Sequence, residues 1–286
     1  MKAGTTTLYQ YLLRHPEIFM TTPKEPQYFS RAHIRARGPG WYQALFEPAG
    51  EAQVCGEAST CYSRWPYYDG VPERIKAWNP GVKLIYIMRH PVSRLYSHYK
   101  HEMRRHFMHG RPLLDFETFL TQDPEALPAS RYFQQIEQYR RVFADNQMLW
   151  LCLEDLTETP ARTLNRVQRF LDLEPRDLVA SAAVHANESG QHIEKRAWRR
   201  AVRRIRKHSL VAPIAETLPT QHRRAVGRGL EKLPLRLPFG RRQRRRFEQS
   251  LSPLTGEVRQ AILTELKDDT SALSDLLGRD LSAWQR

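Results

Sequence analysis

Leu8, Tyr11 and Leu12 share one face of a helix that the apolar spacing predicts over residues 5–14, with Pro16 just past its end. Residues 17–30 read as a loop that holds Lys24-Glu25-Pro26-Gln27-Tyr28-Phe29. A short strand is expected near Val54, leading into Gly56-Glu57-Ala58-Ser59-Thr60. Residues 72–78 read as helix and Asn79-Pro80-Gly81 as a turn. The run Lys83-Leu84-Ile85-Tyr86-Ile87-Met88 is short, apolar and bounded by a turn and a proline, which fits a buried parallel strand. Helices are predicted over residues 91–105 and 131–143, and a second apolar strand over 148–153, ending at Glu154-Asp155. Thr159 and Pro160 form an N-cap and first-position pair for a helix through Leu171. Residues 255–277 return to helical spacing, with Gly278 as the cap. Strand and helix alternate, so the class is α/β with a parallel sheet flanked by helices, and no internal repeat is evident.

Two segments about ninety residues apart carry anion-binding chemistry. Lys2-Ala3-Gly4-Thr5-Thr6-Thr7 opens a helix. There Gly4 permits close backbone approach, and the new helix turns unpaired N–H groups toward an anion. Thr5, Thr6 and Thr7 add hydroxyl donors, and Lys2 adds a point charge. The second segment is Arg89-His90-Pro91-Val92-Ser93-Arg94-Leu95-Tyr96-Ser97-His98-Tyr99. Arg89 leaves a strand at its C-terminal end, where ligands bind in open α/β sheets, and its guanidinium can grip a phosphate through two donors. Ser97 follows within the next helix and donates to the same phosphate. Arg94 and Tyr99 are expected in packing or surface pairing. The pair predicts a grip on a nucleotide with two separate phosphate groups. No Gly-Lys-Ser/Thr triplet is present, so this is not a Walker A loop and implies no metal step. Cys55, Cys61 and Cys152 and the eleven histidines have no zinc spacing, and His98, His101, His106 and His109 read as surface or packing residues.

These two motifs, in this order, resemble the 5′-phosphosulfate loop and 3′-phosphate site of sulfotransferases that use 3′-phosphoadenosine 5′-phosphosulfate (PAPS). The likeness is to carbohydrate sulfotransferases of the heparan-sulfate type and their bacterial relatives. It covers residues 1–190 and, more faintly, the Leu277-Gly278-Arg279-Asp280-Leu281-Ser282-Ala283-Trp284 ending. It implies a P-loop-like sulfotransferase fold and transfer of a sulfuryl group to a hydroxyl, or an amine, of a carbohydrate or glycolipid. The product is 3′-phosphoadenosine 5′-phosphate (PAP), and no metal is required. By the resemblance, Lys2, Gly4, Thr5, Thr6 and Thr7 hold the phosphosulfate, and Arg89 and Ser97 hold the 3′-phosphate. Glu25 lies in a Lys-Glu-Pro-x-x-Phe loop similar to the family segment that supplies the catalytic glutamate. Lys2 assists at the leaving phosphate. Gln27 stands where relatives often have histidine. Lys24 and Glu57 are candidate acceptor contacts, with Glu57 also an alternative base; some relatives have lysine where this chain has Ala58. Similar proteins place an apolar strand directly before the Lys-x-Gly-Thr motif. The first strand is therefore expected to be missing here, and Met1 to be a misplaced start.

A length of 286 residues with 41% hydrophobic and 10% aromatic composition fits one globular domain. The reading is a single domain over 1–286, with 191–250 a basic insertion or lid and 251–286 a C-terminal helical segment. The net charge of +14 is regional: residues 191–250 hold 18 Lys and Arg against 4 Asp and Glu, while the remainder balances. Trp198, Val202 and Ile205 define an apolar stripe among Arg199, Arg200, Arg203, Arg204, Arg206 and Lys207. That predicts a cationic amphipathic helix, docked on the core or laid on an anionic membrane or glycan through 195–246. Arg241-Arg242-Gln243-Arg244-Arg245-Arg246 lacks interleaved aromatics, so no nucleic acid is expected. No run of 18 apolar residues and no signal-peptide pattern occur, and a reducing cytoplasm is the expected compartment. The alternatives are a P-loop-fold kinase, or a non-catalytic basic protein that binds nucleic acid or membrane.

Overall fold

The computed structural model describes residues 1–179 and 245–286. Thr5–Leu12 (α1) leads to Ile18–Met20 (β1), which pairs in parallel with Val54–Gly56 (β2), Ile18 opposite Val54 and Met20 opposite Gly56. Ala32–Arg35 (α2) and Pro39–Ala44 (α3) connect them. Val71–Trp78 (α4) leads to Leu84–Met88 (β3), which pairs in parallel with Met148–Cys152 (β4). Their crossover carries Pro91–Met108 (α5), Phe116–Gln122 (α6) and Tyr132–Arg140 (α7). Leu153–Glu158 (α8) and Pro160–Phe170 (α9) follow β4, and Gly256–Glu265 (α10) and Lys267–Leu277 (α11) end the chain.

The parallel α/β class stands, with five corrections. β1 lies inside the stretch expected to be loop. Three residues between two prolines carry no readable period, and the strand exists because β2 pairs with it. The described strands form two two-stranded sheets rather than one. The strand at 148–153 stops at Cys152, because Leu153 opens α8. Pro160 does start α9, but Thr159 does not cap it: its hydroxyl donates back to the Asp155 carbonyl at 3.1 Å. The single C-terminal helix is two, meeting at buried Leu266, and Gly278 ends the second in the left-handed conformation, φ 56°.

Leu8, Tyr9 and Leu12 of α1 bury against Ile18, Ile87, Leu151 and the α9 face at Leu164 and Val167. A second cluster is aromatic, with Tyr28 stacked on Tyr42 at 4.6 Å and Trp78 edge-on at 5.2 Å from Tyr42. A cavity of about 710 Å³ is lined by members of both clusters and by both β2 and β3.

The chain divides into two compact units. The first holds residues 1–103, 114–186 and 252–286, with every strand named above. The second holds 104–113 and 187–251. In its described part the Phe107 and Phe247 rings lie 5.5 Å apart, with the Arg104 guanidinium 5.7 Å from Phe247. The stripe at Trp198, Val202 and Ile205 and residues 241–244 lie outside the described residues; Arg245 and Arg246 are exposed.

Candidate active site

Lys2 has φ 67° and Gly4 φ 95°, so the first loop is left-handed twice before α1 begins. Alternation of this kind turns successive N–H groups to one side and makes a concave anion seat. The first helical hydrogen bond runs from Leu8 N–H to the Gly4 carbonyl at 3.0 Å, and no side chain caps the helix. The N–H groups of the first turn at Thr5 and Thr6 therefore have no helical acceptor. Gly4 is required for a second reason. A Cβ there would lie 2.5 Å from Leu153 Cδ1 and 3.4 Å from Ile87 Cδ1, so the loop presses on the ends of β3 and β4.

That contact brings the two sequence motifs together. Arg89, half-buried at the end of β3, donates from Nη1 to the Lys2 carbonyl at 3.5 Å. Tyr132 fixes this turn by donating its hydroxyl to the Arg89 carbonyl at 2.7 Å. The His90 N–H donates to Glu154 Oε1 at 3.0 Å. Ser97 is half-buried in the second turn of α5, beyond the same loop. Backbone N–H groups, a lysine and an arginine at one end of the strands form a donor set that fits phosphate.

Glu25 sits in the loop after β1, beside the exit of β2. The Ala58 N–H donates to the Lys24 carbonyl at 3.2 Å, and Tyr9 of α1 donates to the Thr21 carbonyl at 2.8 Å. The Glu25 carboxylate pairs with Lys24 Nζ at 2.9 Å and accepts from the Thr60 hydroxyl at 3.1 Å. Burial works against its charge, but Lys24 and Thr60 outweigh it, and the carboxyl ends below the usual glutamate range. Glu25 is thus ionised at neutral pH, the state a base requires. The Met1 amine is held down to about 4 by burial, then by Arg94 and Arg64, and it also senses Glu25 and Lys24. The Glu25 loop and the Lys2 loop therefore share one electrostatic neighbourhood.

Glu57 follows β2 and behaves oppositely. Its Oε1 accepts from the Tyr42 hydroxyl at 3.4 Å, while Oε2 is enclosed without a partner. Burial pushes its carboxyl up to about 7, against the opposing pull of Tyr62, Ser59 and Tyr42. Two carboxylates near one set of strand ends are thus pushed apart in proton affinity. The folded state holds the Glu57 proton more tightly than the unfolded chain, whose value is 4.5. Stability from this group is present below pH 4.5 and is lost as pH rises through about 7. The loss is roughly 3 kcal/mol. Thermal melts of the protein and of Glu57→Gln across pH 4.5 to 8 are expected to converge at the acid end and separate at the basic end, with the glutamine variant higher.

Several supporting residues gave little signal in sequence. Arg94, expected in packing or pairing, is 1% exposed. Its Nε donates to Ser130 Oγ at 2.6 Å and its Nη2 to the Ala126 carbonyl. Tyr99 donates to the Leu114 carbonyl at 2.9 Å and accepts from the Ser252 N–H at 3.0 Å. His98 is buried, and burial with Arg94 and Arg64 nearby holds its imidazole neutral, down to about 2, although Asp123 lies 3.6 Å away. Asp269 of α11 accepts from the N–H groups of Phe133 and Gln134 at 3.1 and 3.0 Å, anchoring the α7 start that carries Tyr132. Gln27, with φ 61°, is a left-handed non-glycine residue two positions from Glu25, and its N–H is held by Ser59 Oγ at 2.8 Å. Such backbone is costly and marks a segment held in place by its surroundings.

A family profile described as "Sulfotransferase domain" matches residues 1–209. Human heparan sulfate glucosamine 3-O-sulfotransferase 6 is 29% identical over 182 residues, covering 60% of this chain and 50% of that protein. Human heparan sulfate glucosamine 3-O-sulfotransferase 3B1 is 30% identical over 179 residues, 60% of this chain and 44% of that protein. Mouse bifunctional heparan sulfate N-deacetylase/N-sulfotransferase 3 is 29% identical over 192 residues, 61% of this chain and 21% of that protein. The chain thus spans half or less of the length of these curated relatives. In structure, a sulfotransferase from Alicyclobacillus acidocaldarius superposes with TM-score 0.65 at 20% identity, covering 100% of this chain and 95% of that one, a likeness of fold.

Proposed function

The chain belongs to the sulfotransferase-domain family, and from that premise we propose that it transfers a sulfuryl group from PAPS to a hydroxyl, or an amine, of a carbohydrate or glycolipid. One observation carries the reading: the Arg89 guanidinium reaches the Lys2 carbonyl, so two anion sites meet at one end of the strands. In this reading Lys2, Gly4, Thr5, Thr6 and Thr7 hold the 5′-phosphosulfate, and Arg89 and Ser97 hold the 3′-phosphate. PAPS supplies the sulfuryl group. Glu25 takes the proton of the acceptor hydroxyl, and Lys24 keeps that carboxylate ionised and oriented. Lys2 faces the charge that develops on the leaving phosphate, the role for which a fixed cation contributes most. In the same reading Glu57 and Lys24 contact the acceptor. The heparan sulfate acceptors named for the relatives support a carbohydrate. The same reading lays the basic stretch 195–246 against an anionic glycan or the inner membrane face, supported by its charge excess.

Calorimetry tests the donor site. PAP is expected to bind far more tightly than AMP, without magnesium, because a charge-assisted phosphate contact contributes ~1.5–3 kcal/mol. Equal affinities would remove Arg89 and Ser97 from nucleotide recognition. Radiolabelled PAPS offered with a panel of glycans then identifies the acceptor by which one takes the label.

A further inference from the structure

The segment that leaves β2 fastens the Glu25 loop along its length. The Ala58 N–H donates to the Lys24 carbonyl at 3.2 Å. Ser59 Oγ accepts from the Gln27 N–H at 2.8 Å, and the Tyr62 hydroxyl accepts from the Phe29 N–H at 3.3 Å. The Ser30 hydroxyl and the Cys61 thiol meet at 2.9 Å. These contacts hold the loop backbone and leave the Glu25 side chain free to turn about its own bonds. Two further donors take its carboxylate: Lys24 Nζ on Oε1 at 2.9 Å and Thr60 Oγ1 on Oε2 at 3.1 Å.

The two donors are not equivalent. Lys24 precedes Glu25 on the same loop, and its long side chain moves with that loop. Thr60 belongs to a different segment. It opens a single 3₁₀ turn, Thr60–Ser63, and is 8% exposed. A buried β-branched side chain has few rotamers, so the backbone of the turn sets the direction of its hydroxyl. Thr60 is therefore the contact that ties the carboxylate plane to the exit of β2. Lys24 and Thr60 each occupy one lone-pair site of an ionised carboxylate that has about four, so sites remain for an incoming proton. The charged and titratable groups around Glu25 divide the same way. Lys24 is the cation beside it, since burial holds the Met1 amine down to about 4 and pushes the Cys61 thiol up. Burial favours the neutral carboxyl, while Lys24 and then Thr60 favour the ionised one.

We propose that Thr60 is a positioning residue for Glu25: its hydroxyl fixes the carboxylate plane against the turn after β2, and with it the direction from which that carboxylate takes the acceptor proton. The second clause rests on the reading of Glu25 as the base; the first does not. Thr60→Val removes the hydroxyl at nearly constant volume, Thr60→Ala removes it with less bulk, and Thr60→Ser keeps it. Carbon-13 NMR follows the titration of the Glu25 carboxyl in each protein, the resonance being assigned by its loss in Glu25→Gln. Both hydroxyl-free variants are expected to titrate Glu25 at higher pH than the parent, because a donor to the ionised form is gone. The serine variant should titrate as the parent does. Turnover of radiolabelled PAPS is then measured with the glycan that takes the label in the panel above. In the valine and alanine variants kcat is expected to fall about tenfold, the equivalent of one hydrogen bond to a charged group. PAP affinity should stay level, and the acid limb of the pH–rate profile should move up with the NMR titration. Serine should restore both kcat and the limb. A Glu25 titration unmoved in valine and alanine overturns the proposal, as does a serine variant as impaired as those two. Lost turnover with weaker PAP binding and an unmoved acid limb gives Thr60 a packing role only and overturns it too. Normal turnover by Glu25→Gln, or no labelled glycan at all, removes the base reading and the second clause, while the NMR titration still decides the first.

Discussion

Replacing Glu25 by glutamine is expected to lower turnover about 10²–10⁴-fold, the usual contribution of a general base, while PAP binding persists. Glutamine keeps the length and the oxygen that accepts from Thr60, so the loop after β1 retains its anchor. It loses the charge that Lys24 stabilises at 2.9 Å, and with it the capacity to take a proton. The proposed donor site draws on other groups, namely the α1 start, Lys2 and Arg89, so its hold on PAP should not depend on Glu25. The direction of the Glu25 shift adds a pH signature. Its carboxyl lies below the usual range, so activity of the parent should hold through mildly acidic pH and fall only as pH drops through that lowered value. Lys2→Ala and Arg89→Ala should weaken PAP binding as well as turnover. Near-normal turnover by the glutamine variant would exclude Glu25 as base and turn attention to Glu57.

The largest expected loss of stability follows Arg94→Ala. The side chain is enclosed, and its donors serve Ser130 Oγ at 2.6 Å and the Ala126 carbonyl, both in the segment leading into α7. Truncation leaves both acceptors unsatisfied and opens a void, which together cost roughly 3–5 kcal/mol. The effect should reach the site through Tyr132, whose hydroxyl holds the Arg89 turn. Chemical denaturation is expected to show a large drop in midpoint with an unchanged slope. A change below about 0.5 kcal/mol, the range of ordinary surface substitutions, would show that the buried guanidinium does not hold this region.

The two candidate anion-binding loops stand out in the sequence because their signals are local. A glycine followed by three threonines at a helix start, and an arginine leaving an apolar run, place donors within one or two turns of the chain. Helices α1, α4, α5, α7 and α9 follow from the same short-range periodicity, as does the left-handed Gly278. Strands β3 and β4 were visible as apolar runs because each buries several successive residues. β1 was not, since three residues become a strand only when Val54–Gly56 lies alongside. Nor does sequence fix the opposite proton affinities of Glu25 and Glu57. One carboxylate met a lysine and a threonine, while the other kept an oxygen enclosed without a partner. The burial of Arg94, the left-handed turn at Gln27, the Asp269 anchor on α7 and the contact from Arg89 to Lys2 likewise depend on residues far apart in the chain. The sequence by itself determined which groups can bind an anion and which stretches coil or extend, because those are properties of neighbouring residues. Only the tertiary structure decided which of these groups meet and how far each is desolvated, because these depend on contacts that close over tens of residues.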